Sequence, residues 1–152
     1  MNESVFIGDV RLTLDENGAD IIIKDGLIQD CRDFDTAVML SLFGGNKEDE
    51  NGMAKKTWWG NLIPGTRREE WMQSEFAAMI TGYPMTGANL RKASNAATRD
   101  LAWAKNIAGA DSVSVSLYAE NQDRIKLTAE IIQEKQSAGG GSYELQWQEA
   151  VR

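Results

Sequence analysis

The chain has 152 residues, 42% hydrophobic and 26% charged, with a net charge of −7. That is room for one ordinary domain with a real core, and the overall acidity argues against a nucleic-acid binder, which carries a clustered basic face. Histidine is absent, which removes imidazole-based triads, the common zinc sites and the usual pH switch.

Cys31 is the lone cysteine. It forms no internal disulfide framework or thiolate cluster and is expected as a small, semi-buried apolar residue. No apolar run approaches the roughly 20 residues of a membrane helix. Met1 to Phe6 lacks the basic start and long apolar stretch of a signal peptide, so assembly in a cytoplasm is expected. Charge is uneven: residues 1–52 hold 4 basic and 12 acidic groups, residues 53–108 hold 8 and 4, and residues 109–152 hold 4 and 7. The asymmetry serves solubility or, on a sharper reading, steers neighbouring subunits into register.

Val10, Leu12 and Leu14 alternate with Arg11 and Thr13. Asp15-Glu16-Asn17-Gly18 then supplies turn residues before the apolar run from Ala19 to Lys24, which together predict a hairpin. A second turn at Asp25-Gly26 leads to a short strand at Leu27 and Ile28, and the hairpin is expected to pack with strands near the C-terminus. Asp33 or Asp35 is placed to cap a helix from Thr36 to Phe43, ended by Gly44-Gly45 and buried on most of its circumference.

Asn46 to Lys56 reads as an exposed loop. Glu48, Asp49 and Glu50 lack the alternating oxygen ligands of a calcium loop, so no metal is expected there. Trp58, Trp59 and Gly60 follow among turn residues, where two adjacent indoles do not both follow a core periodicity easily. They either cover the end of a small core or meet a partner. Arg67 to Trp71 leads into a short helix through Phe76, Met79 and Ile80, ending before Pro84.

Leu90, Ser94, Ala97, Leu101, Ala104 and Ala108 recur at steps of three and four, predicting one long amphipathic helix up to Gly109. The period then switches to two. Val113, Val115 and Leu117 oppose Ser112, Ser114 and Ser116, then Ile125, Leu127, Ala129 and Ile131 oppose Arg124, Lys126, Thr128 and Glu130. After a break at Gly139-Gly140-Gly141, Tyr143, Leu145 and Trp147 predict a third strand. The fold class expected is α+β, an antiparallel sheet of N-terminal hairpin plus C-terminal meander packed on a long helix and shorter ones. It forms a single domain over 1–152, with 137–152 as an added edge strand or tail.

The hairpin, the apolar helix from Asp35 to Gly45, Trp58-Trp59-Gly60, Gly65-Thr66-Arg67 and a long helix feeding Val113-Ser114-Val115 come in an order that resembles the Mu-like bacteriophage baseplate protein family. That family is related to the sheath-initiator wedge proteins of contractile tails, some of which carry a lysozyme-like label. The resemblance spans roughly residues 6 to 134, and the tail after Gln136 has no match in it. It implies a structural subunit without enzymatic activity or cofactor, in a virion tail baseplate, with wedge, tube and sheath proteins as partners and neither nucleic acid nor membrane. Partner contacts are expected at Trp58, Trp59, Gly60, Arg67, Tyr143 and Trp147. Free sheet edges are expected at the N-terminal strand and at Tyr143 to Gln148. The alternatives are a small-ligand-binding module and a glycan hydrolase with Glu69 or Glu70 as acid and Asp49 as partner. For the second, the simpler account is a charge cluster at a helix start.

Overall fold

The computed structural model of the chain describes residues 9–15, 18–31, 33–44, 63–67 and 73–147. Its centre is an antiparallel meander of β7 (Ser112–Ala119), β8 (Arg124–Gln133) and β9 (Gln136–Gln146), with β8 in the middle. Period-two alternation puts Ile125, Leu127, Ala129 and Ile131 inside on β8 and leaves Glu130 and Thr128 outside. Gly139 to Gly141 are not a break between elements, as expected from sequence, but lie within β9.

Three helices cover the apolar face: α1 (Asp35–Phe43), α2 (Glu75–Gly82) and α3 (Gly87–Asp100), with α1 against β9 and α3 against β7. The predicted long helix is interrupted. Leu101 and Ala102 form a turn, and helix resumes as α4 (Trp103–Asn106). Its buried face keeps the expected Ala97, Leu101 and Ala104 and is wider on one side than expected. Ala93, Ala96 and Ala97 are buried, while Leu90 and Ser94 are only half-buried. Alanine lets the α3 backbone approach α2 and the sheet closely, so the tightest contact falls on the smallest side chains rather than on the largest apolar ones.

Asp35 does not cap α1 through its side chain, and Phe34 at the cap makes no such bond. The Asp35 carboxylate instead accepts the Gly140 N–H at 2.9 Å, while Phe34 N–H donates to the Ala138 carbonyl at 2.9 Å. The glycines make this contact possible. A Cβ on Gly139 would stand 2.7 Å from Phe34 N, one on Gly140 would overlap the Ala129 carbonyl, and both residues have φ near +150°. The start of α1 therefore sits directly on the outer edge of β9.

The N-terminal strands do not join the meander. They form their own ladders: β1 (Asp9–Val10) with β6 (Asp30–Cys31), β2 (Leu12–Asp15) with β3 (Gly18–Ile21), and β4 (Ile23–Lys24) with β5 (Leu27–Ile28). These are three strand segments that each change partner midway. At the crossing, Arg11 donates to the Gln29 carbonyl, Gln29 to Ile22 and Ile22 back to Arg11, at 2.9, 2.9 and 3.0 Å. This closed ring of main-chain bonds lets three short strands satisfy one another without a fourth. Asp25 and Gly26, both with positive φ, make the tight turn between β4 and β5. Leu12 and Leu14 pack on the core, and the Thr36 hydroxyl donates to the Val10 carbonyl at 2.7 Å. Cys31 is buried with its Sγ 3.3 Å from that same hydroxyl.

Candidate functional site

The residues expected to meet partners do not gather in one place. Trp58, Trp59 and Gly60 lie outside the described residues, as do Glu48, Asp49, Glu50, Glu69 and Glu70. Arg67 is exposed beside the turn at Pro64-Gly65. Tyr143 and Trp147 correct the expectation: they are 8% and 4% exposed and belong to the core. The Tyr143 ring meets Phe43 edge-on at 5.0 Å between centroids, and burial, with the Asp35 charge adding to it, pushes its phenol up to about 12. Trp147 anchors the end of β9, its main-chain N–H donating to Asp123 and its indole N–H to the Tyr83 carbonyl, both at 2.6 Å. Period two put both rings on the inner face, and an inner face with helices above it is core.

A carboxylate the sequence reading passed over joins two helices. Ser74 caps α2, accepting from Ala77 N–H at 2.9 Å, and Asp100 at the end of α3 stands over the same helix start. Its carboxylate accepts from Glu75 N–H at 3.1 Å and Phe76 N–H at 2.9 Å. The fully buried Ser74 hydroxyl is 2.7 Å from the Leu42 carbonyl and 3.2 Å from Asp100 Oδ2. Burial raises the Asp100 carboxyl from 3.8 to about 6 despite these hydrogen bonds. On the surface beside it, Arg99 pairs with Glu75 at 2.7 Å. This is a tie between α1, α2 and α3 rather than a site open to substrate.

An open hollow of about 490 Å³ lies on the other side of the sheet, bordered by Asp33, Asp35, Glu130 and the glycines of β9. Its Asp35 is already engaged with Gly140. Among the described residues no three histidine, cysteine or carboxylate groups are placed to hold a metal ion.

The two margins of the meander differ. In the β8–β9 ladder, Trp147 bonds to Asp123 across the pair, which sets the phase so that the even-numbered residues of β9 from Gln146 back to Ala138 turn outward, as far as the register shift at Ile131/Ile132. Two of these, Ala138 and Gly140, are taken by Phe34 and Asp35, so the edge expected to be free at the C-terminal strand is partly closed. At the other margin, Glu120 bonds to Arg124, which turns both main-chain groups of Val113, Val115 and Leu117 away from β8. Among the described residues none of these groups has a hydrogen-bond partner. The pairing of β7 with β8 is regular over all eight residues, and Ser112 to Ala119 contains no charge, proline or glycine. Sheet margins left to water are ordinarily guarded by such residues or by bulges.

A second exposed feature is apolar. On the N-terminal strands Ile23, Leu27 and Ile28 are 61%, 69% and 59% exposed, and Ile23 stands opposite Ile28 in the ladder. Single exposed aliphatic side chains are normal, whereas neighbouring ones mark contact surfaces. No described helix is long and apolar enough to cross a membrane. No protein-family model, curated protein or solved structure matches the chain.

Proposed function

We propose that the chain is a structural, non-enzymatic subunit of a contractile phage or prophage tail baseplate. On this reading it is assembled in the host cytoplasm and kept in the virion, where it links wedge proteins to the tube and starts the sheath through protein contacts. The order of elements that resembles the Mu-like baseplate family supplies the setting. The observation that carries the reading is the open margin of β7.

There Val113, Val115 and Leu117 each present one N–H and one C=O that are unpaired among the described residues. An added strand would take up those groups, and its alternate side chains would extend the half-buried row of Val113, Val115 and Leu117 on one side and the serine row on the other. Partner sheath or wedge proteins supply such a strand in this account. Trp58, Trp59, Gly60 and Arg67 remain proposed secondary contacts.

The test is to recover the tagged protein from cells producing complete tails and identify what stays bound by mass spectrometry. Wedge, tube or sheath proteins are expected. Recovery of none, from lysates that contain assembled tails, would overturn the assignment and favour the ligand-binding alternative. In that case a thermal-shift screen against metabolites should show stabilisation.

A further inference from the structure

The exposed tip of the N-terminal strands has a complementary surface elsewhere on the same chain. Between α2 and α3 runs a groove of about 320 Å³ whose floor is Ala78, Met79 and Ala96, with Tyr83 and Asn95 at its sides and Lys92, Arg99 and one carboxylate, Glu75, on the rim. Arg91, Lys92 and Arg99 are the exposed charges of α3, all of one sign, with Arg99 partly neutralised by Glu75. The tip has the opposite character. Ile23, Leu27 and Ile28 share these strands with exposed Asp20, Asp25 and Asp30, against two exposed bases, Lys24 and Arg11.

We infer that the tip of one copy of this chain docks into the α2–α3 groove of a second copy, placing Ile23 and Ile28 on the apolar floor and the aspartates of β3 to β6 against Lys92 and Arg91. Both surfaces are exposed in the same molecule, so after one contact forms one copy still has an unused groove and the other an unused tip. The contact is therefore heterologous and propagates head to tail, closing only if the rotation between copies closes. Charge sets the direction. Two acidic tips repel, and so do two basic groove rims, so neither a tip–tip nor a groove–groove pair is favoured. The inference rests on the assembly reading above and adds that the subunit contacts its own copies. The β7 margin stays available to other proteins.

The experiment measures molar mass by light scattering over a concentration series, using the full chain and two variants. The tip variant is Ile23→Asp with Ile28→Asp. The groove variant is Lys92→Glu with Tyr83→Asp. All four positions are exposed, and circular dichroism confirms that each variant is folded. The full chain should grow in mass with concentration, and each variant alone should remain a monomer. Mixed together, the variants should form a one-to-one pair and nothing larger, because one supplies the only intact groove and the other the only intact tip. A charge exchange, Asp25→Lys combined with Lys92→Glu, should restore at least a tenfold part of the association lost in Lys92→Glu alone. A full chain that stays monomeric to its solubility limit would overturn the inference. So would a groove variant that still self-associates, since that result takes the groove out of the contact. Capture of wedge or sheath proteins by a strictly monomeric chain would refute this contact while leaving the proposed function standing.

Discussion

Replacing Asp100 with asparagine should change how stability depends on pH, in a direction set by burial. A carboxylate at a helix N-terminus, accepting two main-chain N–H bonds, is ordinarily held below its usual range. At Asp100 desolvation outweighs those bonds and raises the group from 3.8 to about 6. The folded protein therefore binds this proton more tightly than the unfolded chain. The contribution is fully present below pH 3.8 and is lost as pH rises through about 6. Between pH 7 and pH 4.5 the linkage amounts to about 2 kcal/mol, and its full span is at most about 3 kcal/mol. The protonated carboxyl also fits the geometry. It can donate to Ser74 Oγ while that hydroxyl donates to Leu42. Urea unfolding of the protein and of Asp100→Asn at both pH values isolates the term, because the other carboxylates titrate in both. On acidification the unsubstituted protein should gain about 2 kcal/mol relative to the variant, a midpoint shift of roughly 1 M urea. Parallel pH dependences, or a relative gain toward pH 7, would show that the hydrogen bonds and helix dipole outweigh burial.

Gly140→Ala should cost at least about 2 kcal/mol, since the backbone is at φ +150° and the new methyl meets the Ala129 carbonyl with no side chain to move aside. Equilibrium urea unfolding measures this, and a loss below about 0.5 kcal/mol would contradict the close packing described. Trp147→Phe removes the bond to the Tyr83 carbonyl and should cost about 1–2 kcal/mol in the same assay, while leaving partner capture intact because the ring is core. Val115→Pro deletes an N–H that points away from β8, so the fold should persist and recovery of tail proteins should fall. Ser116→Pro deletes a ladder bond and should lower the melting temperature far more. Equal melting losses for the two proline variants would place the open margin elsewhere.

The inner face of the meander was legible in the sequence because period two leaves little freedom. Ile125, Leu127, Ala129 and Ile131 alternate with polar residues, and a shift of one position would invert all of them. The helix ending at Phe43 and the turn at Asp25-Gly26 were legible for similarly local reasons. What failed depended on contacts distant in sequence. Asp35 has the residue type of a cap, yet its carboxylate serves Gly140, more than a hundred residues away. The glycine run read as a break because glycine usually marks one, whereas here it admits another backbone. Nothing in the local sequence marks Asp100, and only the approach of α2 gives it a role. The exposed aromatic partners were expected at Tyr143 and Trp147 because a terminal strand was taken as an edge. That edge is partly covered by α1, and the open one is β7 at the other side. From sequence, the lack of charge, proline and glycine in Ser112 to Ala119 reads as a central strand, and only the pairing of β7 with β8 alone shows it to be an edge.

The most direct test of the account is hydrogen exchange at the main-chain amides of Val113, Val115 and Leu117, compared between the free protein and the protein within assembled tails. Free, these amides should exchange far faster than those of Ser114 and Ser116, which are bonded to β8. Strand addition in the tail should protect all three. Exchange at the free rate in tails that contain the protein would contradict the claim that the β7 margin is where the chain joins its partners.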